Sequence, residues 1–303
     1  MRNFHSYIIF LLVFSAFSAH ADERGSALLA SAGIGDEALF QSILEAGADI
    51  NAKDPKQNTS LIIAAREGFA GIVKLAILKG AHVNEVNKYG NSALLLAAWG
   101  GYNEIVEMLI NARANPDIVN KNTDTALIMA VMEKHDDVVL TLLRRGADPF
   151  YKDRDNWTAL MLASEKGYLG IVKSLMAYGS DLYAKNYRGN NALLMAASFG
   201  RMEIVKLLLD AGAGVNSKNY NKDTPIMLAA WKGHLETVKL LIASGADVNV
   251  REARDWTPLT LAQHKGHEEI AKLLLKAGAK EGGPLPWQLR GSGLKDKPLQ
   301  SRF

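Results

Sequence analysis

The chain is 303 residues long, 48% apolar and 22% charged, a balance that can bury a core and is too apolar for disorder. It has no cysteine, which excludes disulfide frameworks, Cys-ligated zinc, iron–sulfur clusters, cysteine nucleophiles and a lipid on an N-terminal cysteine. The net charge of +3 is mildly basic, but the segment from Lys280 alone carries five basic residues against two acids, so the excess belongs to that tail. A nucleic-acid binder concentrates Lys and Arg on a folded face, and neither nucleic acid nor a metal or cofactor is expected here.

Arg2 and His5 precede an apolar run from Tyr7 to Phe17, and Ala19-His20-Ala21 follows before the polar Asp22-Glu23-Arg24. This is the layout of a secretory signal peptide, with cleavage expected after Ala21. The run is too short to span a bilayer, which takes about 20 residues. The mature protein is therefore expected to be soluble, monomeric and outside the cytoplasm, periplasmic or secreted, with no membrane attachment once residues 1–21 are removed.

A length of this order ordinarily means about two domains, but a fixed period changes that expectation. Gly47, Gly80, Gly146, Gly179, Gly212, Gly245 and Gly278 fall on one 33-residue grid, broken only at Arg113. Twenty-one residues before each grid point stands a residue able to cap a helix: Ser26, Thr59, Ser92, Thr125, Thr158, Asn191, Thr224 and Thr257. A Leu or Ile follows two positions later, then small residues such as Ala97-Ala98 and Ala229-Ala230. After a glycine break comes a second apolar pattern, as in Ile105-Val106 with Leu109-Ile110, whose spacing places those side chains on one helix face. The reading is eight stacked helix-turn-helix units, mainly α, joined by short hairpin-like turns over residues 22–278. Such units bury their apolar faces only against each other. The remainder, 279–303, opens with Gly282-Gly283-Pro284 and is expected to be a mobile tail.

Thr224-Pro225-Ile226-Met227-Leu228-Ala229-Ala230, Gly233-His234 and Gly245-Ala246-Asp247-Val248-Asn249 resemble the signature of the ankyrin repeat family. The likeness runs over residues 26–278. It departs from the family where a His should follow the T-P-L triplet, since Leu, Ile, Met or Thr stands there in every unit. Two further departures cluster: Arg113 replaces an end-cap glycine and Lys134 a mid-hairpin glycine. Residues 111–136 thus read either as a weaker seam or as neutral drift.

No phosphate loop, H-E-x-x-H or G-x-S-x-G occurs, so no enzyme is expected. The resemblance instead implies a protein partner, held on a concave face made of turn tips and inner helices. Tyr89, Trp99, Trp157, Arg188, Phe199, Trp231 and Trp256 fall at the positions that would line it, with Tyr187 and Tyr220 at neighbouring tips. None of the tryptophans occupies a core position of the repeat pattern, and Trp, Tyr and Arg are enriched at interface hot spots. A second recurring set, Lys53, Lys152, Lys185, Lys218 and Arg251, reads as a solvated edge. Asn58 and Asn156 head glycosylation sequons that matter only in a eukaryotic secretory route. The biological role stays open between a scaffold, an immunity protein against a periplasm-acting toxin, a helper of a periplasmic oxidative-stress enzyme and a host-directed effector.

Overall fold

The structure, a computed structural model, describes residues 21–282. The expected signal segment, apart from Ala21, and the tail beyond Gly282 lie outside the described residues. The helices come in pairs, one pair per period: α1 (Ala21–Ile34) with α2 (Glu37–Glu45), α3 (Ser60–Glu67) with α4 (Ala70–Leu78), α5 (Ala93–Gly100) with α6 (Asn103–Asn111), and α7 (Ala126–Met132) with α8 (Asp136–Arg144). They continue with α9 (Ala159–Lys166) and α10 (Leu169–Ala177), α11 (Ala192–Ser198) and α12 (Met202–Asp210), α13 (Pro225–Lys232) and α14 (Leu235–Ala243), and α15 (Pro258–Lys265) and α16 (Glu268–Lys276). Among the described residues no strand forms; the nearest approach is an isolated bridge between Val86 and Ser92.

The described chain falls into two compact units. One takes the residues up to Ala159 together with Lys173–Ser180, and the other takes Leu160–Val172 together with the residues from Asp181 on. Within the first unit the inner helices α1, α3, α5 and α7 pack in succession, as do the outer helices α2, α4, α6 and α8. Within the second, α11, α13 and α15 pack in succession, and α12, α14 and α16 do likewise. The expected helix-turn-helix stacking is therefore present in each unit.

Helices of seven to nine residues are too short to persist alone in water. Their order comes from caps and from burial. Thr59, Ser92, Thr125, Asn191 and Thr257 each accept the backbone N–H three residues on, as the sequence predicts. Thr224 stands at the start of its helix without such a bond, and Ser26 lies inside α1, which begins at Ala21. Glu23 sits in the first turn of that helix, where a carboxylate favours the positive end of the dipole. The Leu or Ile two after each cap is completely buried, and so are the paired alanines beside it.

The two clustered departures keep the ordinary geometry. Arg113 takes φ +67° and Lys134 φ +63°, the left-handed conformation of the glycines they replace. Arg113 N–H donates to the Ile110 carbonyl at 2.9 Å and Ala114 N–H to Leu109 at 2.9 Å, the same pair that Gly80 and Ala81 make with Ile77 and Ala76. Thr123, in the same stretch, is β-branched and also left-handed at +69°. The stretch thus carries strain without rearrangement. Arg113→Gly is expected to raise stability by up to about 1 kcal/mol, the left-handed cost for an L residue less the extra chain entropy of glycine. A urea midpoint unchanged or lowered in the variant would refute that account.

The segment expected to leave the fold at Ala279 begins by docking on it. Lys280 N–H donates to Asn249 Oδ1 at 2.8 Å, Thr257 Oγ1 donates to the Lys280 carbonyl at 3.2 Å, and Thr260 Oγ1 donates to the Gly282 carbonyl at 2.7 Å. Thr260 occupies the position filled by Met227 and Leu194 in the preceding inner helices. A hydroxyl there closes the stack with polar contacts.

Candidate partner-binding face

The turn tips are built by one acceptor side chain per repeat, five residues before the cap. Asn87 Oδ1 accepts the N–H groups of Tyr89 at 2.9 Å and Asn91 at 3.1 Å. Asp153 does the same for Asp155 and Trp157, Asn186 for Arg188 and Asn190, and Asn219 for Asn221 and Asp223. These are Asx turns, in which a short polar side chain takes over backbone donors that the tight loop leaves unpaired. Successive tips are joined: Lys121 N–H donates to the Tyr89 carbonyl at 2.9 Å, and Tyr220 N–H to Arg188 at 3.1 Å. At Arg154 the partner is the Thr123 hydroxyl, at 2.8 Å. The tips are therefore ordered before anything binds them. Sequence reading passed over this position, although an Asn, Asp or Glu recurs there on the 33-residue grid from Asp54 to Glu252.

The aromatics divide into two kinds. Tyr89 is exposed at its tip with the Lys88 ammonium 5.1 Å from the ring centre, and Trp99 is 46% exposed at the end of α5. Tyr187 is exposed beneath the Arg188 guanidinium, 5.1 Å away, while Arg188 and Phe199 are half-buried. Tyr220 is 69% exposed and Trp231 half-buried. Trp157 and Trp256, by contrast, are only 5% and 4% exposed. The expectation that none of the tryptophans is held by burial therefore fails for these two. The position before the cap lies where the returning tip meets the inner helices, and a large ring there turns inward. Trp256 joins Met227, Val250 and Leu261 in a local core, against which Trp231 packs from outside.

Of the candidate set, Trp231 and Trp256 are drawn into one cluster. His264 lies between them, stacked on Trp231 at 5.7 Å with an interplanar angle of 16° and tilted against Trp256 at 5.0 Å. Lys265 Nζ stands 3.9 Å from the Trp231 ring centre, and Arg254 is 4.8 Å from that of Trp256. Arg188 and Phe199 belong to the same unit, whereas Tyr89, Trp99 and Trp157 belong to the other. Arg254, His264 and Lys265 were not singled out for this face by sequence. Their offsets from the cap, equivalent to those of Arg188, Trp231 and Lys232, carried the signal.

The inter-helix histidines have a structural task. Nε2 of His135, His234 and His267 lies 3.0, 3.0 and 3.2 Å from the carbonyls of Trp99, Ser198 and Trp231, each at the close of the preceding inner helix. Arg201 Nε serves Glu165 in the same way at 3.1 Å. Each bond satisfies a carbonyl that the helix itself leaves without a partner. Burial pushes the His234 imidazole below its ordinary 6.5. The folded state therefore resists a proton that the unfolded chain accepts near that pH. The associated stability is complete above the unfolded value and is lost as pH falls through it toward the lower folded one. Thermal midpoints recorded from about pH 7.5 to about pH 5.5 should fall less steeply in His234→Gln than in the parent. Equal slopes would show that this imidazole does not contribute.

Other residues are committed elsewhere. Lys53 pairs with Glu85 at 2.6 Å, Lys185 donates to the Lys218 carbonyl and Arg251 pairs with Asp255, so much of the recurring basic set is engaged in the fold. Asn58 is buried, donating to Asp54 and accepting from Asn87, which removes the first sequon from the folded surface. Among the described residues no group of three metal-ligating side chains occurs, and no helix is long and apolar enough to cross a membrane.

A family model for ankyrin repeats, in three copies, matches residues 27–120, 103–186, 171–252 and 193–282. No curated protein matches the sequence. Ankyrin repeats generally mediate protein–protein binding and are generally not enzymes. With those matches extending over most of its length and the paired helices repeating in both units, the chain belongs to the ankyrin repeat family.

Proposed function

We propose that this protein is a non-enzymatic scaffold that works outside the cytoplasm, in a bacterial periplasm or beyond, and holds a partner protein on the face made by its turn tips and inner helices. The observation that carries the reading is the set of aromatics open to solvent on pre-ordered backbone: the exposed Tyr89 and Trp99 in one unit, the exposed Tyr187 and Tyr220 and the half-buried Trp231 in the other. Large rings whose backbone is already fixed lose little conformational freedom on binding, which is how a modest contact area becomes a useful affinity. The location is supported by the apolar run Tyr7–Phe17 and the Ala19-His20-Ala21 that follows it.

The test is photo-crosslinking in live cells from positions 99 and 231, with position 206 on the outer helix α12 as control. Discrete adducts from the first two and none from the third are expected, on protein recovered from the periplasm with Asp22 at its N-terminus. Equal adducts from all three positions would overturn the proposed face, and an uncleaved cytoplasmic chain would overturn the location.

A further inference from the structure

The second unit carries a ladder of three rings flanked by two cations, Lys265–Trp231–His264–Trp256–Arg254, drawn from one tip and two inner helices. Its buried member, Trp256, anchors it in the core. Trp231 and Lys265 face outward, and Lys232 is exposed on the helix beside them.

The acids at the tips beside the ladder are already engaged: Glu252 is buried and paired with Arg254 at 3.5 Å. Asp255 is paired with Arg251. Asp223 is buried, bonded to Asn219 and pushed upward by that burial. Among the described residues Lys232 and Lys265 have no acidic partner. The Lys265 ammonium instead rests on the indole, a contact that is weak where water has access. A carboxylate reaching it gains a charge-assisted bond without breaking an existing ion pair.

Resting on the binding role proposed above, we infer that this ladder receives an acidic segment of the partner, an apolar side chain seating on Trp231 and carboxylates meeting Lys265 and Lys232. Charge complementarity fixes the sign of the segment. The half-covered indole under Lys265 calls for an apolar residue among the acids.

The probe is a short synthetic peptide alternating Glu and Phe, with Gln-for-Glu and Lys-for-Glu counterparts, titrated against the full chain while its tryptophan fluorescence is read. The Glu peptide is expected to bind about tenfold or more tightly than the Gln peptide at low salt, the gap closing as salt is added. Lys232→Glu with Lys265→Glu is expected to abolish or reverse that preference, and Trp231→Ala to weaken both peptides, with circular dichroism unchanged in each. Equal binding of the Glu and Gln peptides, a preference that survives charge reversal, or no binding of any peptide overturns the inference. Crosslinking from positions 99 and 231 that persists after charge reversal would overturn this inference and leave the broader binding role standing. Loss of adducts from both positions in the unmodified chain would remove that broader role.

Discussion

Replacing Trp256 with alanine is expected to destabilise the chain by about 3–5 kcal/mol, whereas Trp99→Ala is expected to shift stability by less than about 0.5 kcal/mol. Both were candidates for the same surface by position alone. The structure separates them, because Trp256 fills a space bounded by Met227, Val250 and Leu261 while Trp99 stands half in solvent. Removing the first leaves a cavity inside the stack and strips His264 of an aromatic neighbour. Removing the second uncovers little, since its carbonyl, the atom that His135 meets, belongs to the backbone and survives the substitution. Chemical denaturation of the two variants decides the matter. Comparable losses in both would mean that the burial of Trp256 does not hold this part of the fold. The same result directs any binding study toward Trp99, Tyr220 and Trp231, because loss of a partner in Trp256→Ala could not be told from loss of structure.

The second large effect concerns the mid-hairpin glycines. Gly101→Ala is expected to cost about 2–3 kcal/mol, and Gly266→Ala about 1 kcal/mol. Both residues are left-handed, at φ +74° and +75°, so the backbone term is shared. They differ in what a methyl group would meet. At Gly101 it would come within 2.6 Å of the His135 ring; at Gly266 nothing among the described residues lies within 4 Å. Accommodating it at Gly101 means displacing His135 from the Trp99 carbonyl, so an inter-repeat hydrogen bond is lost along with the steric fit. The difference between the two thermal midpoints isolates the stacking contribution. Equal losses would show that glycine is required at these positions for conformation alone.

The period, the caps and the paired helices were legible in the sequence because each is local or strictly periodic: a hydroxyl at a helix start or a leucine two residues later carries its meaning in its spacing. The faces were less legible. Trp157 and Trp231 both look like surface anchors on the grid, and only the third dimension shows that one turns under its tip while the other packs from outside. The Asx residues at the tips were missed for a related reason. An asparagine before a turn reads as ordinary loop composition until its side chain is seen holding two amides. Arg254, His264 and Lys265 drew no attention as part of this face, because charge in a sequence does not disclose that the group lies on a ring.

The side chains that cover the inter-helix glycines also give the array a direction. Tyr102 lies over Gly68, His135 over Gly101, Arg201 over Gly167, His234 over Gly200 and His267 over Gly233, always reaching back to the repeat before. A repeat is thus finished by its successor. Excising a whole 33-residue period inside either unit would hand each glycine a new but equivalent lid. Trimming from the far end would instead strip lids one at a time. Gly266 has no such successor among the described residues, and Lys280 and Gly282 are the groups that fasten the chain across its helix. Repeat number can therefore change internally by copying or deletion, while the closing four residues have to stay with whichever repeat is last.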